Sequence, residues 1–301
     1  MNLNIIGRKN IFLAVAVVMV AASLVAIAAF GFRQGIDFSG GTLWKMTVPG
    51  GNPAGLSAFL AENGVHDPKV NYDPASGSFL VRMPAADSET SHERLSGAFQ
   101  AEYPGWEELS YQSIGPSVGR ELRNKSLIAI VLVLVGISLY IAFAFRKVYR
   151  PLSSWTYGAM TLASLFHDVA IPAGLLAVLG RYRGIEIDSN FVVALLVVIG
   201  FSVHDTIVVF DRIRENLLLD RGRTGFGETV NTSINQTLAR SINTSLTLVL
   251  VLLALYFVGP LTLRYFILTL LVGTVAGVYS SICVASPLLY LWYARRAKPG
   301  S

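Results

Sequence analysis

Asp205 lies in the run Phe191–Phe210, which otherwise reads as apolar residues with Ser202, His204 and Thr206 and contains no second acid. A charged, unpaired carboxylate that deep in an apolar span is costly, so an acid placed there marks a functional site by default. Asp205 stands six residues before Asp211, the expected end of the span, hence roughly 9 Å inside it. On the next apolar stretch Gln236, Arg240, Asn243 and Thr244 recur at i, i+4, i+7 and i+8, which puts them on one helical face. That face cannot favourably look at lipid, and it carries a guanidinium at a depth comparable to Asp205. Asp168 is the third candidate. It follows His167, with Ser164 and Thr161 on its face one and two turns earlier and Pro172 one turn later. The His204-Asp205 pair, with Ser202 three residues before the acid, repeats that pattern on the following span, in a chain with only 4 histidines.

The chemistry these residues fit is proton handling. Burial opposes the charged form of a carboxylate, and an approaching cation favours it, so a contact made in one conformation and broken in another loads and unloads a proton. Asp205 is read as the proton carrier, Arg240 as its switchable partner and Asp168 as a further relay residue. His167, His204, Ser202, Gln236, Asn243 and Thr244 are their neighbours, the two histidines as local hydrogen-bond partners. The competing reading is a static ion pair that fixes helix packing. Covalent catalysis finds little support. Asp205 follows Ser202-Val203-His204 rather than the Gly-x-Gly of an intramembrane aspartyl protease, and Gly200-Phe201-Ser202 lacks the glycine that would complete a nucleophile elbow. Neither His-Asp pair has the additional ligands of a metal site. No cofactor is expected beyond the proton as coupling ion.

The elements that must position these groups are membrane helices. Hydrophobic residues make up 53% of the chain and charged ones 14%, far from the roughly 25% of a soluble domain. Six stretches reach the roughly 20 residues needed to cross a hydrocarbon core: the first within 1–34, then about 126–145, 152–180, 191–210, 236–258 and 265–293. The first follows Arg8 and Lys9 and is longer than a signal-peptide core, so it reads as an uncleaved anchor. The net charge of +5 is not a nucleic-acid footprint, because the basic residues collect at span ends. Arg8/Lys9, Arg146/Lys147/Arg150, Arg212/Arg214/Arg221/Arg223 and Arg295/Arg296/Lys298 fall on one side, against Arg120, Arg123 and Lys125 on the other. That asymmetry predicts both termini in the cytoplasm.

One polar region, 35–120, separates the first span from the five-helix part, 121–301. Thr42–Val48 alternates as a half-buried strand, with Trp44, Met46 and Val48 on one face. Asn52-Pro53 opens a helix, Lys69–Tyr72 and Ser78–Met83 form a hairpin around Asp73–Gly77, Asp87 or Ser88 caps a second helix that ends at Pro104-Gly105, and Leu109–Ile114 is a last strand. The order β-α-β-β-α-β predicts a small α+β, ferredoxin-like extracytoplasmic domain. Its head, Gly35-Ile36-Asp37-Phe38-Ser39-Gly40-Gly41-Thr42, lacks Gly-Lys-Ser/Thr, so it is no phosphate loop but a tight junction of helix and sheet. A cytoplasmic loop is expected over 211–233, its part Asp211–Arg221 reading as an amphipathic surface helix. In the last span Gly273, Gly277 and Ser281 form a small-residue ridge that admits a close helix, either within this chain or from a partner. Cys283, the single cysteine, reads as a packing residue.

These residues resemble the SecD/SecF family of protein-export membrane proteins, of the resistance-nodulation-division superfamily. Gly35–Thr42, with Gly35, Asp37, Phe38, Gly40 and Gly41, is similar to the family signature at the head of the outer domain. The run Phe201–Asn216 resembles its fourth-span motif, where Asn is common in place of His204; Gln236–Ser245 resembles its fifth-span segment and His167-Asp168 its third. The resemblance is to the smaller, SecF-type half and covers essentially the whole chain. It implies a multi-pass half-transporter in the bacterial cytoplasmic (inner) membrane that pairs with a SecD-like subunit. The pair would assist the SecYEG translocon and SecA, using the proton-motive force on the translocating polypeptide. It further implies Asp205 as proton carrier, Arg240 as modulating cation and Asp168 as a path residue. The alternative within the superfamily is a proton-coupled exporter of small molecules or lipids, which generally carries a larger outer region than 35–120.

Overall fold

A computed structural model describes residues 3–74, 76–85, 89–146, 152–220 and 223–297. In chain order its elements are α1 (Lys9–Phe30), α2 (Ile36–Ser39), β1 (Gly41–Thr47), α3 (Pro53–Glu62), β2 (Lys69–Asp73), β3 (Ser78–Met83), α4 (Glu89–Glu102), β4 (Glu107–Ile114), α5 (Pro116–Ala144), α6 (Ser154–Arg183), α7 (Ser189–Asp220), α8 (Phe226–Val258), α9 (Arg264–Ser280) and α10 (Ser286–Ala297). A π-helical stretch, Ser281–Ala285, joins α9 to α10. Six helices are long and apolar enough to cross a membrane: α1, α5, α6, α7, α8 and the continuous Arg264–Arg296. The chain divides into two compact units, one holding these helices and one holding the sheet.

In the sheet unit four antiparallel strands run in the order β2-β3-β1-β4, so the split β-α-β-β-α-β reading holds. The alternation in β1 buries Trp44, Met46 and, just past the strand, Val48. Trp44 is edge-on to Phe99, Trp106 and Tyr111, and its indole N–H donates to Glu108 Oε2 at 2.9 Å, which satisfies the polar atom this buried ring carries. Asn52 caps α3 through the Gly55 N–H at 2.8 Å, with Pro53 in the first turn. The expected cap of the second helix, Asp87 or Ser88, lies outside the described residues.

The glycine-rich head forms one helical turn, α2, rather than an open loop. Gly40 and Gly41 take φ of +73° and +133°, and a Cβ at Gly40 would stand 2.8 Å from Pro116 Cα. Only glycine permits both the backbone conformation and the approach. Asp37 is buried, and its carboxylate accepts from the Ser189 N–H at 2.9 Å and from the Ser189 hydroxyl.

The membrane unit inverts the usual arrangement. Val131, Leu132, Val197 and Leu250 are exposed, whereas Thr161, Ser164, His167, Asp168, Ser202, Asp205, Ser280 and Ser281 are buried. An outward apolar surface suits lipid, and the polar groups find partners inside. Two expected boundaries are corrected. The loop at 211–233 is mostly helix, because α7 continues to Asp220 and α8 already starts at Phe226. Pairs one turn apart, Arg212–Glu215 at 2.5 Å and Asp211–Arg214 at 3.4 Å, support that continuation. Ile213 is buried there and Leu218 is exposed, so the segment is a packed extension of α7 rather than a separate surface helix. Likewise α5 begins at Pro116, well before the expected span at 126.

Candidate functional site

The site is a seam of buried polar groups where α6, α7 and the last span meet. Glycine ridges bring two of these helices together. A Cβ at Gly273 would fall 2.3 Å from Val198 Cγ2, and one at Gly277 would fall 3.1 Å from Ser202 Cβ. The ridge therefore serves packing within this chain, against α7. Its next small residue, one turn on, is Ser281, whose hydroxyl donates to Asp205 Oδ2 at 2.6 Å. Thus Gly273/Val198, Gly277/Ser202 and Ser281/Asp205 are successive steps along one helix contact.

Asp168 is fully buried and more heavily engaged than Asp205. Its Oδ2 accepts from the Ser280 hydroxyl at 2.8 Å and from the Ser202 hydroxyl, and its Oδ1 meets His167 Nδ1 at 2.9 Å. Ser164 donates to Ser280 at 2.9 Å and extends the chain of hydroxyls by one member. Pro172 lies within α6 and supplies no N–H to the Asp168 carbonyl, so that turn lacks one rung of its ladder. His167 stacks on Tyr279 at 5.9 Å, and its Nε2 is buried without a hydrogen-bond partner.

The sequence-predicted set is split by the fold. Asp168, His167, Ser202 and Asp205 come together. Arg240 does not join them: it is exposed, as are Gln236, Asn243 and Thr244, and it forms no ion pair among the described residues. The expected Asp205–Arg240 pair is thus absent in this state. The cause is the orientation of α8, which buries Ser233, Thr237, Ser241 and Ser245 and turns the adjoining polar face, about 100° round the helix, outward. Gln236 accepts instead from Arg212 Nε at 2.6 Å and Asn216 Nδ2 at 2.8 Å. His204 is exposed and is no partner of Asp205. Ser164 sits on the Asp168 face as its spacing implies, whereas nothing in the local pattern points directly to Ser280 or Asn231. Ser280 adjoins Ser281, a member of the small-residue ridge, and that ridge was the available signal. Asn231 and Asn235 bind the N-terminal segment through the Ile5 N–H at 2.9 Å and the Leu3 N–H at 2.8 Å. No cluster of metal-ligating side chains exists among the described residues.

Comparison with known proteins gives one answer. The family described as protein export membrane protein SecD/SecF, C-terminal, matches residues 96–295, and the SecD/SecF GG motif matches 25–43. The chain is 42% identical over 303 residues to the protein translocase subunit SecF of Thermobaculum terrenum, covering 96% of this chain and 94% of that protein. It is 36% identical over 313 residues to the SecF subunit of Anaerolinea thermophila, covering 99% of both. The crystal structure of SecDF from Thermus thermophilus, a translocon-associated membrane protein, superposes with a TM-score of 0.82 at 36% identity. That match covers 98% of this chain but 39% of the SecDF chain. On a match spanning most of its length, the chain belongs to the SecD/SecF family of protein export membrane proteins.

Proposed function

We propose that this chain is the SecF-type half of a SecD–SecF accessory complex that uses the proton-motive force to promote SecYEG- and SecA-dependent movement of polypeptide across the bacterial cytoplasmic membrane. Asp205 is the proton carrier, Asp168 a further path residue and Arg240 the cation met in the proton-released state. The observation that carries this reading is Asp205 itself. It is 6% exposed, deep in a span, hydrogen-bonded to Ser281 and without an ion-pair partner among the described residues. A guanidinium brought to a buried carboxyl in another state favours its charged form and so the release of a proton. Each proton crossing supplies about 2.3 kcal/mol per 100 mV. The Thermus SecDF is one chain of which this chain matches 39%, which supports a SecD-like half beside this one. Basic residues at Arg8, Lys9, Arg212, Arg214, Arg295 and Arg296 support cytoplasmic termini.

The test uses sealed membrane vesicles with the complete translocation machinery. Asp205→Asn keeps shape and one acceptor, so the protein should insert and assemble while the proton-driven part of precursor translocation is lost. Translocation by the variant at the wild-type rate, with the same response to collapsing the proton gradient, would remove Asp205 from the mechanism.

A further inference from the structure

We propose that Asp168 and Asp205 take up and release protons as one coupled unit, and that Ser202, Ser280 and Ser281 are the positioning residues that couple them. This rests on the reading of Asp205 as a proton carrier and adds to it a second carboxylate and the connection between the two.

The geometry is a closed ring. Ser202 donates to Asp168, and on the same helix Asp205 follows one turn later. Ser281 donates to Asp205 at 2.6 Å, and its neighbour Ser280 donates to Asp168 at 2.8 Å. Two carboxylates are therefore joined twice, once through a turn of α7 and once through a single peptide unit of the last span. Adjacent residues on a helix point about 100° apart, so a serine pair can serve acids on two different neighbouring helices. No hydrogen bond joins the two serines, so the connection is mechanical and electrostatic rather than a wire. A shift of the last span that withdraws Ser281 from Asp205 must also move Ser280 at Asp168.

The backbone at this point is built to shift. Ser281 opens the π-helical stretch Ser281–Ala285, and the Ser286 hydroxyl reaches back to the Ser281 carbonyl at 3.3 Å. Pro287 supplies no N–H to the Cys283 carbonyl, which leaves the regular ladder broken where the wider turn lies. Such single-turn π segments concentrate at functional sites. The groups facing the ring are few. α6 contributes His167, whose Nδ1 lies 2.9 Å from Asp168 Oδ1. The last span contributes Tyr279, against the His167 ring, and the buried Cys283. α1 offers only apolar residues such as Leu13, Ala16 and Val17 beside His167, and Arg240 of α8 faces outward.

Carboxylates that interact by more than about one pH unit titrate as a pair rather than singly. The experiment follows the Asp205 carboxyl by infrared difference spectroscopy across pH, in the full-length protein in lipid with isotope-labelled aspartate, using Asp205→Asn to assign its band. Asp168→Asn should move the Asp205 midpoint by about one pH unit, a roughly tenfold change in proton affinity. Ser280→Ala, which removes a donor to Asp168 and none to Asp205, should move it in the same direction by a smaller amount. The double variant should match Asp168→Asn alone, because both act through one connection. Thr269→Ala, another buried hydroxyl of the last span, should leave it unchanged. An Asp205 midpoint unmoved by Asp168→Asn, or a double variant equal to the sum of its parts, overturns the proposal. Should Asp168→Asn fail to fold, Ser280→Ala alone decides it, since a midpoint unchanged there is equally fatal. Vesicle translocation separates the two levels. Loss of activity in Asp205→Asn with an unmoved midpoint in Asp168→Asn rejects the coupling and leaves the carrier role standing.

Discussion

The membrane unit has two polar seams, and they are finished differently. The inner one, between α6, α7 and the last span, buries Asp168, His167, Ser202, Asp205, Ser280 and Ser281 and supplies hydrogen-bond partners from within the chain. The outer one, along α8, carries Arg240, Asn243 and Thr244 on an exposed face amid exposed Ile242, Leu246 and Leu250. Both have the composition that hydrocarbon rejects. A polar seam in a membrane protein is thus completed either by its own helices or by another set. The inner seam should therefore govern this chain's stability, and the outer seam what it assembles with.

The largest stability effect is expected at Asp168. Asp168→Leu removes the acceptor for His167 Nδ1, Ser202 and Ser280 at once. Each buried donor left unpaired costs about 1–3 kcal/mol. Ser280 can fall back on the Gly277 carbonyl, already 3.1 Å away, which lowers the total. A loss of about 2–4 kcal/mol should appear as a lower midpoint for denaturant or thermal unfolding in detergent. A loss under about 0.5 kcal/mol, the usual scatter for surface changes, would show that the seam is not what holds these helices.

Next is the ridge that sets the helix spacing. Gly273→Val places atoms where Val198 already stands, and overpacking of this kind costs about 1–3 kcal/mol. Gly277→Ala should cost less, since Ser202 Cβ is 3.1 Å from the new methyl carbon and has some room to give. Equal unfolding midpoints for the two variants would contradict the graded contact along α7.

Which parts of this could be seen in the sequence follows from what periodicity encodes. Alternation at Trp44, Met46 and Val48 and the Asn52-Pro53 start are local signals, and the sheet unit follows them closely. Length and hydropathy suffice for the six spans, and the apolar run around Asp205 suffices to expect that acid buried within one of them. A helical wheel also groups Gln236, Arg240, Asn243 and Thr244 correctly on one face of α8. It says nothing of which neighbour that face meets, and here Gln236 meets Arg212 and Asn216 of α7 while Arg240, Asn243 and Thr244 stay exposed. Helical character over Asp211–Arg221 is legible, but the switch from apolar to charged residues after Phe210 masks its continuity with α7, which the i, i+3 pairs support. Ser280 was hidden for another reason. Neighbouring serines reaching acids on two different helices depend on tertiary placement, which no periodicity records.

α8 itself allows a sharper contrast, because one of its polar faces is occupied and the other is open. Asn231 accepts from the Ile5 and Ile6 N–H groups at 2.9 and 3.2 Å and donates to the Leu3 carbonyl at 3.1 Å. Asn231→Ala should cost about 1–2 kcal/mol by leaving those backbone groups unpaired. Limited proteolysis should then release the N-terminal segment faster. Unchanged protease resistance would mean that the buried Ile5 and Ile6 side chains hold it alone.

The smallest effect on the chain itself belongs to the open face, and it separates the two seams most cleanly. Asn243→Leu combined with Thr244→Val replaces exposed polar groups by apolar ones that lipid accepts, so the unfolding midpoint in detergent should stay within about 0.5 kcal/mol of wild type. If a SecD-like half completes this seam, the same double variant should lose the co-purifying partner, because an apolar face leaves the partner's polar groups unpaired on docking. Arg240→Met keeps bulk and removes charge, so it tests the cation apart from the docking. The expected outcome there is a normal unfolding midpoint and a retained partner, with translocation that no longer responds to the proton gradient. Retained partner binding in the Asn243/Thr244 variant would show that α8 turns this face to lipid, water or its own chain in another state. In that case the second seam would be closed by motion rather than by assembly.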